Sequence, residues 1–93
     1  MKRKLTPEEI DPALAELGEW TRAGEVLRWQ RSFSSFANAF AFTTRVALLA
    51  EKLDHHPEII LSYTRLALNL TSHDAGGLTA RDLRFARALS ALA

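Results

Sequence analysis

The chain alternates between stretches of period near 3.6 and stretches of period two, and each change of period marks an element. Leu5-Thr6-Pro7-Glu8-Glu9-Ile10 has the features of a helix start: Thr6 to cap, Pro7 at the first helical position, Glu9 where a capping-box carboxylate sits, and Leu5 with Ile10 as a staple. Pro12 predicts a kink or a second start capped by Asp11, because an interior proline removes a donor and clashes with the turn before it. Leu14 and Leu17 extend the apolar face, and Gly18 ends it. Residues 20–22 are a short strand candidate, and Ala23-Gly24-Glu25 reads as a turn. Residues 26–33 then alternate, with Leu27, Trp29 and Phe33 on one face and Arg28, Gln30 and Ser32 on the other, which predicts a half-buried strand. Arg31 interrupts the apolar face, so that face is expected to be only partly covered.

Ser34 or Ser35 caps a long helix over residues 36–53. It carries two apolar stripes about 110° apart at 100° per residue. One is Phe36, Ala39, Phe40, Ala47 and Ala50; the other is Phe42, Val46, Leu49 and Leu53. The arc is wider than one sheet face needs, so the second stripe is expected to meet another subunit. Pro57 holds His56 away from helical angles and ends the helix in the loop Asp54-His55-His56-Pro57-Glu58. Residues 59–64 and 66–71 read as adjacent antiparallel strands turning at Thr64-Arg65, the second with Leu66, Leu68 and Leu70 on one face. After the loop Ser72-His73-Asp74-Ala75-Gly76-Gly77, Thr79 and Asp82 form a capping box, and Leu78 with Leu83 a staple, for a helix to about Leu92. The order α-β-β-α-β-β-α predicts an α+β fold: a single four-stranded antiparallel sheet with three helices on one face.

At 93 residues there is room for one domain, residues 1–93. A domain this small buries only part of its unfolded surface, and without cysteines there is no disulfide to compensate, so self-association is expected. Lys+Arg 12 against Asp+Glu 11 gives a net charge of +1, too little basic excess for general nucleic-acid binding. No run approaches the ~20 apolar residues of a membrane span. The basic start Met1-Lys2-Arg3-Lys4 is followed by Thr6-Pro7-Glu8-Glu9 instead of an apolar stretch, so no signal peptide is expected and the cytoplasm is the expected compartment.

All three histidines flank one strand pair. His55 and His56 precede its first strand and His73 follows its second, so antiparallel pairing brings them to one end of the sheet with Asp54, Glu58 and Asp74. Imidazole gives and takes protons near neutrality. The pattern leaves four readings open: loop histidines without a role, a three-histidine zinc set, hydrolysis with Ser72 as nucleophile beside His73, and metal-free general acid-base catalysis. Asp82 is weighed as an active-site carboxylate and assigned to the cap. Gly76-Gly77 is assigned to a turn needing positive φ, and Trp20 and Trp29 to packing.

The stretches Ala50-Glu51-Lys52-Leu53-Asp54-His55-His56-Pro57-Glu58, Tyr63, Thr71-Ser72-His73-Asp74-Ala75-Gly76-Gly77-Leu78-Thr79 and Arg81-Asp82 resemble the pterin-4a-carbinolamine dehydratases, also called dimerisation cofactors of homeodomain transcription factors. The likeness extends upstream through Leu5, Trp20, Phe33, Phe36, Phe40 and Arg45-Val46-Ala47. It implies the same fold, pairing into homo-dimers or homo-tetramers, and metal-free dehydration of 4a-hydroxytetrahydropterin to quinonoid dihydropterin in cofactor recycling, with no cofactor of its own. It implies catalytic His55, His56 and His73. His55 and His73 would transfer the two protons, and His56 would hold the substrate or help donate. Substrate contacts would come from Asp54, His55, His56, Pro57, Thr71, Ser72, His73 and Asp74. Ile59 stands where many members carry an aromatic residue, usually Trp, so weaker binding is expected. The alternative reading is a non-catalytic dimerisation or partner-binding protein acting through the long helix.

Overall fold

The computed structural model describes residues 3–92. The basic start at Met1 and Lys2 lies outside them. Helix α1 (Pro7–Leu14) begins as the residues dictate: Glu9 accepts the Thr6 N–H at 3.0 Å. It runs through Pro12 without a second start. Only the Glu8 carbonyl loses its helical donor to that proline, and Glu8 is exposed to water. A hairpin follows, β1 (Trp20–Ala23) and β2 (Val26–Ser32), turning on Gly24-Glu25. Gly24 takes φ 61°, which suits glycine at the first central position of a two-residue hairpin loop.

Helix α2 (Phe36–Leu53) is capped by Ser35, whose Oγ accepts the Asn38 N–H at 3.0 Å. It ends in a left-handed residue, Asp54, at φ 51°. The N–H of His55 then returns to the Ala50 carbonyl (3.1 Å) and that of Asp54 to Glu51 (3.3 Å), a Schellman closure built without glycine. Strands β3 (Glu58–Ser62) and β4 (Arg65–Leu70) turn at Tyr63-Thr64, one residue earlier than the sequence predicts, with Tyr63 at φ 52°. A single 3₁₀ turn over His73–Ala75 leads to α3 (Ala80–Leu92).

The four strands form one antiparallel sheet in the order β1-β2-β4-β3. Trp29 stands between Trp20 and Leu68, and Leu68 between Trp29 and Ile59. Trp20, Leu27, Trp29, Leu66, Leu68 and Leu70 are buried on the helix-covered face, in one core with Ile10, Phe42, Val46, Phe85 and Leu89. Arg31 explains its own presence on that face: its guanidinium lies 4.9 Å from the Trp29 ring centre and 5.2 Å from that of Phe42, and it pairs with Glu19.

The long helix corrects one expectation. Phe42 and Val46 of the second stripe are buried in the chain's own core, with Leu49 and Leu53 packed against it, so that stripe does not face another subunit. The exposed apolar positions belong to the first stripe: Phe36 and Phe40 are 48% and 55% exposed, their ring centres 5.9 Å apart. Ala39 and Ala50 of the first stripe are buried, so the core sector cuts across both stripes. No helix among the described residues is long and apolar enough to cross a membrane.

Candidate functional site

The end of the sheet where β3 begins and β4 ends carries a hollow of about 280 Å³, lined by Val26, His56, Glu58, Asn69, Thr71 and His73. Strand alternation builds its floor. Leu27, Leu68 and Leu70 point into the core, so Val26, Asn69 and Thr71 face the other way, and the Glu58–Asn69 register sets Glu58 beside them. Asn69 donates to Glu58 at 2.7 Å. His56 enters from the loop after α2 and His73 from the 3₁₀ turn after β4. The two loops predicted to meet therefore share one hollow.

The histidines differ in their surroundings. His73 is exposed; its carbonyl accepts the Gly76 N–H at 3.1 Å, and its imidazole makes no hydrogen bond among the described residues. His56 is exposed, with Nε2 at 2.5 Å from the carboxylate of Glu51, two residues before the helix ends. His55 is largely buried and is not among the lining residues. Its Nε2 meets Oδ1 of Asp82 at 2.6 Å, where an imidazole N–H donating to a carboxylate is the matching arrangement.

Asp82 is more than a cap. It is 0% exposed, and its Oδ2 accepts both the Thr79 N–H (2.9 Å) and the Ser72 hydroxyl (2.8 Å). One carboxylate thus ties the His55 loop, the His73 loop and the start of α3 together. Ser72 is 1% exposed, and its Oγ is committed to Asp82 and to Thr79 (2.9 Å). That burial removes it as a nucleophile. No group of three or more His, Asp and Glu side chains among the described residues is placed to hold a metal ion.

The remaining expected site residues take framing positions. Asp54 supplies the left-handed helix end, and Pro57 follows the histidine pair. Thr71 lines the hollow and donates to the Glu25 carbonyl at 2.7 Å. Asp74 pairs with Arg81 at 2.6 Å, which raises the guanidinium's pKa further. Ile59 alternates onto the face opposite the hollow, next to Leu68, and is not among the lining residues. Sequence reasoning did not single out Val26, Asn69 or Glu51 as site residues. Strand alternation from Leu70 back to Asn69 was the available signal for Asn69; nothing local marks Glu51 as a histidine partner.

The model of the family described as pterin 4 alpha carbinolamine dehydratase matches residues 3–92. A protein of Solibacter usitatus (strain Ellin6076) is 46% identical over 93 residues, covering 100% of this chain and 98% of the relative. One of Novosphingobium aromaticivorans is 49% identical over 88 residues, covering 92% of each. Both bear the name "Putative pterin-4-alpha-carbinolamine dehydratase". A solved structure, the transcriptional coactivator/pterin dehydratase of Brucella melitensis, superposes with a TM-score of 0.91 at 38% identity, covering 98% of this chain and 99% of that one. A pterin dehydratase-like protein identified as a RuBisCO assembly factor in the alpha-carboxysome gives a TM-score of 0.63 at 26% identity, covering 78% and 84%. On the whole-length family match, the near-complete overlap with these relatives and the shared fold, the chain belongs to the pterin 4 alpha carbinolamine dehydratase family.

Proposed function

We propose that the chain is a hydro-lyase that dehydrates a 4a-hydroxytetrahydropterin to the quinonoid dihydropterin by proton transfer between substrate and imidazoles. The observation that carries this reading is the hollow with His56 and His73 on its walls and Asp82 fastening both histidine loops behind it. In the reaction the C4a–O bond breaks and the oxygen leaves as water with a proton from an imidazolium. N5 loses its proton to a neutral imidazole, and its electrons form the N5–C4a double bond. His73, whose imidazole makes no hydrogen bond among the described residues, is assigned to the leaving oxygen. His56, rather than His55, is assigned to N5, because His56 lines the hollow and His55 does not. His55 with Asp82 holds the two loops at their working separation. Each proton-transfer group contributes about 10²–10⁴-fold. Glu58, Asn69 and Thr71 supply the polar floor for a heterocycle.

The test is ultraviolet detection of dehydration in 4a-hydroxytetrahydropterin generated enzymatically, with and without chelator. Acceleration over the spontaneous rate, unaffected by chelator, supports the reading. A rate equal to the uncatalysed one sinks it.

A second reading is favoured by the exposed Phe36–Phe40 pair: copies of the chain associate through that stripe of α2. Sedimentation of the wild type against Phe40→Asp tests it. A wild type that stays monomeric at high concentration contradicts it.

A further inference from the structure

The β1–β2 turn lies against the loop that carries His73, and one residue of that turn holds both stems of the loop. The carbonyl oxygen of Glu25 accepts the Thr71 hydroxyl at 2.7 Å, just before the loop. Its Oε1 accepts the Leu78 N–H at 3.0 Å, just after it. Its Oε2 pairs with Lys4 at 3.3 Å, while the neighbouring Leu5 N–H donates to the Leu78 carbonyl at 2.7 Å. Between these stems the loop closes on itself: Ser72 N–H donates to the Gly77 carbonyl (3.3 Å) and Gly77 N–H to that of Ser72 (3.2 Å).

Gly77 is accounted for by the same contact. Gly76 takes φ 74°, as a turn requires, but Gly77 is not in the left-handed region. A methyl group at Gly77 would sit 2.3 Å from Glu25 Oε1. A side chain at position 77 would therefore displace the Glu25 carboxylate. The Leu78 amide, and then Lys4, hold the Glu25 carboxyl below the usual carboxylate range, so it is ionised near neutrality.

Thr71 and His73 line the hollow, and so does Val26, the residue after Glu25. We infer that Glu25 is a positioning residue for the dehydration: gripping Thr71 and Leu78, it fixes the loop that presents His73 to the substrate. The inference rests on the function proposed above. Misplacing a reacting group by about 1 Å can cost up to ~10²-fold.

Steady-state kinetics on Glu25→Gln, Glu25→Ala, Gly77→Ala and the Glu25→Ala/Gly77→Ala pair, measured well below each melting temperature, test it. Glu25→Ala is expected to lower kcat about tenfold with KM nearly unchanged. Glu25→Gln, which keeps an acceptor for Leu78, restores kcat to within about twofold of wild type. Gly77→Ala displaces the carboxylate and falls to the level of Glu25→Ala. The double variant falls no further, because the methyl enters vacated space. A Glu25→Ala enzyme that melts lower but turns over at the wild-type rate overturns the inference, as do losses that multiply in the double variant. If the wild type itself does not dehydrate the substrate, the proposed function fails. The clamp is then read from His73 ring resonances and Leu78 amide exchange, which must move in Glu25→Ala and stay in Glu25→Gln. Resonances unmoved by Glu25→Ala contradict it.

Discussion

Asp82→Asn and Asp82→Ala separate the two roles of the buried carboxylate. In the wild type the fully buried Asp82 accepts three hydrogen bonds, from His55, Ser72 and the Thr79 amide. An asparagine has one accepting atom. If its oxygen keeps Ser72 and Thr79, its NH₂ faces His55 Nε2, which must then become the acceptor. The substitution therefore preserves the bond count only by switching the His55 tautomer. It exchanges charge-assisted bonds for neutral ones, about half as strong, at a cost of about 1–2 kcal/mol. For a chain of this length that lowers the melting temperature by about 5–15 °C. Alanine leaves three buried donors unpaired at about 1–3 kcal/mol each, so the loss is about 3 kcal/mol or more out of a total of roughly 5–15. Urea denaturation gives both losses, and ¹⁵N shifts of labelled imidazole give the tautomer. In the wild type Nε2 of His55 carries the proton; in Asp82→Asn it is expected on Nδ1. An alanine variant within 0.5 kcal/mol of wild type (about a twofold change in the folding equilibrium), or a tautomer that does not switch, refutes the reasoning.

Phe42→Ala removes a ring that stacks on Trp29 (ring centres 5.7 Å apart) and meets Phe33 at a tilt (5.4 Å), and should cost about 3–5 kcal/mol by denaturant melts of dilute, monomeric protein, whereas Phe40→Ala should there stay within about 0.5. Equal losses would contradict the core assignment. Tyr63→Gly should leave stability unchanged or raise it by up to about 1 kcal/mol, since Tyr63 is 73% exposed at a positive φ that costs an L-residue about 1–2 kcal/mol; clear destabilisation would count against that strain. Arg3, and then the Thr6 amide, lower the Glu9 carboxyl to about 2. A depressed carboxyl gives stability that is present above its ordinary value of 4.5 and is lost as pH falls towards about 2. Glu9→Gln should therefore melt lower than wild type at pH 7 and together with it near pH 2, and a gap that persists in acid would contradict this.

The sequence displays what depends on period and composition. Helix α2 has the predicted bounds, because Ser35 and the apolar spacing are both local signals. The β3–β4 turn falls one residue early because Tyr63 adopts a left-handed angle that no sequence rule assigns to tyrosine. Periodicity likewise revealed two stripes on α2 but not which one meets the sheet, since small Ala39 and Ala50 let the core sector cross both. At the site, strand pairing was enough to bring the histidine loops together. It did not separate His55 from the hollow, because that depends on Asp82, whose cap role already satisfied the local pattern. Glu25 lies 53 positions before Leu78 and carries no motif, so its grip on the His73 loop is a product of tertiary packing alone.

The central claim is that two imidazoles sharing one hollow perform the dehydration. Its most direct measurement is the dehydration rate of enzymatically generated 4a-hydroxytetrahydropterin with wild type, His56→Gln, His73→Gln and the double variant, each verified as folded. The account predicts a loss of about 10²–10⁴-fold in each single variant and a rate close to the spontaneous one in the double. A His73→Gln or His56→Gln enzyme with the wild-type rate contradicts it.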